Sequence, residues 1–122
     1  MNKQIGALAW IIPDGFTPVR SSGLLESHEA ICIVNCTTDR ATVNVTVYFE
    51  DENPIENIEF VVDGQRTKHV RTDALEKQGS KIPKGVPYAM KVESDTPIVV
   101  QYSRMDATQA ENTLMTTMAY PV

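Results

Sequence analysis

Side chains able to ionise, donate or accept gather in three stretches of this chain. The first is Ser27-His28-Glu29, just ahead of an apolar run that starts at Ala30. The second is Arg66-Thr67-Lys68-His69-Val70-Arg71, and the third runs from Gln101 to Asn112 through Arg104, Asp106, Gln109 and Glu111. On a strand, alternation puts Arg66, Lys68 and Val70 on one face and Thr67, His69 and Arg71 on the other. Either face carries cationic donors suited to a carboxylate, a phosphate or an acidic partner surface. The same pattern describes a solvated edge strand whose charges discourage edge-to-edge aggregation.

Two histidines and a carboxylate, His28, His69 and Glu29, are ligand types for iron or zinc. Here 40 residues separate the histidines and no His-x-His or His-x-x-x-His spacing exists, so no metal is expected. There is no Gly-x-Ser-x-Gly elbow, no phosphate-cradling loop and no dinucleotide fingerprint. Neither cysteine sits in a motif that lowers a thiol pKa. A protein that is not an enzyme and holds no cofactor is the expectation.

The elements that must position these groups are strands. In Thr42–Glu50, Val43, Val45, Val47 and Phe49 alternate with Asn44, Thr46, Tyr48 and Glu50, which predicts a half-buried antiparallel strand. Ala30–Asn35 precedes it, with Thr37-Thr38-Asp39-Arg40 as a hairpin turn. Further runs at Ile5–Ile12, Ile58–Val62, Gln65–Arg71, Tyr88–Glu93, Pro97–Arg104 and Thr113–Tyr120 bring the count to about eight. Pro13-Asp14-Gly15, Asn53-Pro54, Asp63-Gly64, Pro83-Lys84-Gly85 and Asp95-Thr96-Pro97 punctuate them, Asp63-Gly64 reading as a two-residue hairpin. Thr72–Lys77 is the one helical turn. Short strands at this spacing predict an all-β fold, an antiparallel sandwich or barrel, with residues 1–122 forming one domain.

Composition agrees with a globular chain. Of 122 residues, 42% are hydrophobic and 22% charged, which excludes a disordered tail or a collagen-like repeat. Eleven Lys and Arg stand against 16 Asp and Glu, a net charge of −5. Residues 1–61 carry three basic and nine acidic groups, which argues against a dedicated nucleic-acid binder. No apolar run approaches the roughly 20 residues that span a bilayer. The apolar start runs into Pro13-Asp14-Gly15 without a cleavage site, so it is read as a first strand and the protein as cytoplasmic. Cys32 and Cys36, roughly 13 Å apart on a strand, cannot pair with each other and are expected as buried thiols. Trp10, Tyr48 and Tyr102 are expected to pack in the core or an interface. An exposed one beside polar groups would instead form a stacking platform for a sugar ring.

In its clusters the chain resembles the soluble sensory rhodopsin transducer family. The resemblance rests on Ser27-His28-Glu29 with Cys32-Ile33 and Asn35, on Arg66-Thr67-Lys68-His69-Val70-Arg71, and on Ile82-Pro83. It continues through Pro97-Ile98-Val99-Val100-Gln101, Arg104, Asp106, Gln109-Ala110-Glu111-Asn112, Leu114 and Ala119-Tyr120. It implies a small cytoplasmic β-sandwich that assembles as a homotetramer and signals by contact with a membrane-bound microbial rhodopsin. For members without a rhodopsin it implies a small-molecule, carbohydrate-like ligand. DNA has also been suggested as a partner, and the acidic first half makes it the least attractive one.

Two readings of the polar residues follow. His28, Glu29, Lys68, His69, Arg71, Gln101, Arg104, Asp106, Glu111 and Asn112 could bind a partner or a small ligand. Alternatively they pair with one another, Arg104 with Asp106 and Arg71 with Glu111, because a buried charge is costly unless paired.

Overall fold

A computed structural model describes residues 3–22, 25–109 and 111–122. Ten strands run through it: β1 (Ala7–Gly15), β2 (His28–Asn35), β3 (Ala41–Phe49), β4 (Ile55–Val62), β5 (Arg66–Arg71), β6 (Glu76–Lys77), β7 (Ser80–Lys81), β8 (Tyr88–Asp106), β9 (Thr113–Met118) and β10 (Tyr120–Pro121). All pairings are antiparallel. The expected all-β sandwich is the fold, and the expected helical turn shrinks to a 3-10 turn at Thr72–Ala74, with β6 starting after Leu75.

β8 organises the two layers. Its first half pairs with β1 and β3, and its second half with β2 and β9. One sheet therefore reads β10-β1-β8-β3-β4 and the other β9-β8-β2-β5. Asp95-Thr96-Pro97, expected as a break between two strands, lies inside this single 19-residue strand. Even-numbered positions point inward on both sides of the bend: Tyr88, Met90 and Val92 in one sheet, Ile98, Val100 and Tyr102 in the other. Proline is tolerated there because the strand is changing partners and has no continuous ladder to interrupt.

The bend is stitched in place. Asp95 accepts a hydrogen bond from the Thr42 amide at 2.9 Å, and the Trp10 indole donates to the Ile98 carbonyl at 3.0 Å. Gly6, at φ 99°, passes so close that a Cβ would lie 2.3 Å from the Ile98 oxygen. Only glycine combines that backbone with that approach.

Both expected hairpins prove to be arches between sheets. Thr37–Arg40 joins β2 to β3, and Asp63–Gln65 joins β4 to β5, yet neither pair of strands shares a ladder. Turn chemistry specifies a reversal, but it does not say whether the chain returns beside itself or crosses the core. The arches stack, the Gln65 amide donating to the Thr37 carbonyl at 2.8 Å. At their centre is buried Asn35, whose amide donates to the carbonyls of Asp39 at 2.7 Å and Val62 at 3.1 Å. Its oxygen accepts from the Thr37 amide at 3.0 Å and hydroxyl at 2.8 Å.

The core faces of β1, β2, β3 and β8 supply Trp10, Ile12, Ile31, Ile33, Val43, Val45, Val47, Met90, Val92, Ile98 and Val100. The cysteines depart from expectation. Cys32 is half-buried and Cys36 exposed, because the inward positions of β2 are the odd ones, Glu29 to Asn35. Replacing Asn35 with Ala strands two main-chain acceptors under the arches. Urea unfolding of Asn35→Ala is expected to show a loss of about 2–4 kcal/mol, with an unchanged m-value.

Candidate functional site

At the end of the sandwich opposite Asn35, the core face of β2 closes on Glu29, which is 1% exposed. A carboxylate this deep needs every lone pair engaged. The Phe16 amide, just past β1, donates to its two oxygens at 3.2 and 3.1 Å. The Arg104 guanidinium, directly opposite in the β2–β8 register, donates through Nε at 2.7 Å. From the facing sheet the buried Tyr88 hydroxyl donates to Glu29 Oε1, and it also lies 3.1 Å from the Thr72 hydroxyl in the 3-10 turn. Tyr88 can reach in because it sits over Gly15, where a Cβ would lie 2.5 Å from the ring.

The electrostatics follow from burial. Desolvation, then the bond to Glu29, pushes the Tyr88 phenol well above its usual range, and the same two causes raise Tyr102. Burial opposes the charge on Arg104, but the Tyr102 oxygen and the Glu29 carboxylate outweigh it and hold the guanidinium protonated. Its side chain remains 22% exposed, with Asp14 at 3.8 Å and the Tyr102 hydroxyl at 3.2 Å. It faces a cleft of about 450 Å³ between β1 and the edge strands β9 and β10.

The ten residues named from the sequence do not converge. Glu29 and Arg104 form the buried pair. His28, His69, Arg71 and Gln101 lie on the outer face of the β2-containing sheet, His69 and Gln101 flanking Cys32 in one register row. Lys68 donates to the Val61 carbonyl at 3.1 Å and covers the Phe60 ring. Glu111 and Asn112 are exposed between β8 and β9, and Ala110 beside them lies outside the described residues.

The proposed pairs are replaced by others. Arg104 takes Glu29 in place of Asp106, because cross-strand neighbours face each other at every position. Asp106 instead accepts from the amide and hydroxyl of Thr108, which holds its carboxyl below the usual range. Arg71 takes Asp73 at 2.7 Å in place of Glu111. Tyr88, Thr72 and Phe16 were missed. The signal for Tyr88 was its place at the head of a strand, but nothing local says that it faces a carboxylate.

Among the described residues no buried side-chain nitrogen or oxygen lacks a hydrogen-bond partner, and no three His, Cys, Asp or Glu side chains cluster as metal ligands. None of their helices is long and apolar enough to cross a membrane. The arrangement can lock two sheets together, and its partly exposed guanidinium reaches the cleft.

Two measurements check this account. Removing one partner of a largely buried pair leaves the other uncompensated, so Arg104→Met is expected to cost about 3 kcal/mol. Adding Glu29→Leu to it is expected to recover part of that loss. Alkaline pH provides the second check. The fold keeps Tyr88 and Tyr102 protonated where the unfolded chain releases those protons near pH 10, so above it the unfolded state binds fewer protons and stability falls. Denaturant titrations should show a loss of up to about 1.4 kcal/mol per pH unit per phenol above pH 10, halved in slope by Tyr88→Phe.

Comparison with known proteins places this architecture. The family model described as "Anabaena sensory rhodopsin transducer" matches residues 5–121. Among solved structures, "Crystal Structure of Thermotoga maritima 1070" is similar at 39% identity and a TM-score of 0.85, covering 98% of this chain and 97% of that one. "Anabaena sensory rhodopsin transducer" is similar at 36% identity and a TM-score of 0.76, covering 88% of this chain and 96% of that one. No curated protein sequence matches.

Proposed function

Since the chain belongs to the Anabaena sensory rhodopsin transducer family, we propose that it is a cytoplasmic adaptor that passes a signal through protein contact, without catalysis. The observation that carries this reading is the likeness, over nearly the whole chain, to a protein named as a rhodopsin transducer. The internal chemistry supports it. The groups best placed for acid–base work, Glu29, Arg104 and Tyr88, are spent on one another, which suits a rigid body read at its surface.

The partner in this reading is a microbial rhodopsin at the membrane. Titrating the purified protein into such a rhodopsin from the same cell, in detergent, is expected to give saturable binding whose affinity changes on illumination. Absence of binding in both light and dark would overturn the adaptor reading.

We further propose that the working unit is a homotetramer. Leu114, Met115 and Met118 on β9, with Tyr120 and Val122 beyond them, are exposed along one flank where both sheets end in edge strands. Such edges are usually covered, and closed symmetry between copies covers them at once. Light scattering is expected to give a tetramer mass, reduced by Met118→Glu. A monomeric mass for the unaltered chain would contradict it.

A further inference from the structure

Strand β1 breaks its ladder just before it reaches the Glu29 cluster. Ile12 pairs with Met90 and Gly15 with Tyr88, so Pro13 and Asp14 together oppose the single residue Ala89. A bulge of this kind re-aims side chains, and it accepts proline because no ladder bond is required there. Ile12 and Gly15 stay buried on either side, while Pro13 and Asp14 are lifted to the rim of the cleft beside β9 and β10. The Asp14 side chain is 86% exposed and stands 3.8 Å from Arg104 Nη2.

Arg104 enters the same cleft from β8. Its Nε is committed to Glu29, and its Nη2 contacts the Tyr102 hydroxyl at 3.2 Å. Nη1 has no hydrogen-bond partner among the described residues, and since none of their buried side-chain nitrogens is left unsatisfied, solvent reaches it. A guanidinium carries five N–H donors, so Arg104 keeps some free for a ligand. The walls around these charges are mainly apolar, from Ile12, Pro13, Met115, Met118, Ala119 and the Tyr120 ring. Cross-strand register turns Met115 toward Arg104 and Thr117 toward Tyr102. The outer face of the β3 sheet offers no such contrast: Tyr48, expected to pack, is 39% exposed there, but among polar groups alone.

We propose that this cleft binds a free α-amino acid with an apolar side chain. The ligand carboxylate takes the spare donors of Arg104. The ammonium takes Asp14, whose 3.8 Å contact with Arg104 is too long for a hydrogen bond and yields to a closer partner. The side chain covers the apolar walls. Charge separates this ligand from simpler ones. Glu29 and Asp14 against Arg104 leave one net negative charge, which disfavours a lone anion. A lone cation leaves the open guanidinium facing a like charge. A zwitterion answers both. The volume of about 450 Å³ lies within the roughly 300–1,000 Å³ range of small-ligand sites. The site is built within one chain and does not rest on the rhodopsin or assembly readings.

The test titrates L-leucine, L-methionine and L-phenylalanine into isotope-labelled protein, follows backbone amide shifts, and records light scattering on the same samples. At least one amino acid is expected to give saturable shifts at Ile12, Asp14, residues 102–104 and residues 115–120. 4-Methylpentanoate and 3-methylbutylamine keep the leucine side chain with one charge each, and should bind about tenfold more weakly. Asp14→Asn should weaken leucine by about tenfold without weakening 4-methylpentanoate. Thermal melts verify that the variant is folded. No saturable shift with any of the three, shifts on another surface, a singly charged analogue binding as tightly as leucine, or undiminished leucine binding by folded Asp14→Asn would each overturn the proposal. A tetramer that fails to bind overturns this site alone, and a monomer that binds overturns the assembly reading alone.

Discussion

The fold is arranged around one buried negative charge. Glu29 has lost its water, and a carboxylate in that position is tolerable only where donors replace the water completely. Those donors come from three parts of the chain: the end of β1 through the Phe16 amide, the tail of β8 through Arg104 and the head of β8 through Tyr88, whose hydroxyl also contacts Thr72 in the 3-10 turn. None is adjacent to Glu29 in sequence. The carboxylate can be satisfied only when both sheets are formed and in register.

Strand β2 shows how this is built. Its inward positions run Glu29, Ile31, Ile33, Asn35, two apolar residues between two polar ones. The isoleucines fill the middle of the sandwich by the ordinary burial of apolar surface. The polar ends then fasten opposite rims: Glu29 ties the ends of β1 and β8, and Asn35 ties the two arches. β8 complements this by contributing a ladder to each sheet, with Gly6, Trp10 and Asp95 clamping its bend. The bend cannot shift without moving Tyr88 and Arg104 relative to each other, so the rim cluster and the long strand constrain one another.

A molecule whose interior polar groups are mutually engaged keeps its freedom to interact on its surfaces, and these differ in chemistry. The β9 and β10 flank is rich in exposed apolar side chains. The outer face of the β2 sheet mixes His28, His69, Arg71 and Gln101 with small side chains. The outer face of the β3 sheet is hydroxyl- and carboxylate-rich, with one exposed phenol. Arg104, 22% exposed, joins the buried cluster to the cleft beside β9 and β10.

The amino-acid sequence by itself determined the class of this protein. Period-two alternation at Thr42–Glu50 and in its counterparts allows only strands, and inward parity is a local property of the pleat, so the β3 core face could be read directly. The face assignments in Arg66–Arg71 were legible for the same reason. Partnership was not. Thr37–Arg40 and Asp63-Gly64 carry reversal chemistry that fits a hairpin and an arch equally, and Pro97 interrupts a ladder only where a ladder is continuous. The identity of Arg104's partner depended on the β2–β8 register, and the burial of Glu29 on which way β2 turns its odd positions. The exposure of Tyr48 depended on no second layer covering that face. Each of these is a relation between residues far apart in the chain, set by which strands share hydrogen bonds and which faces meet, and only the tertiary structure decided it.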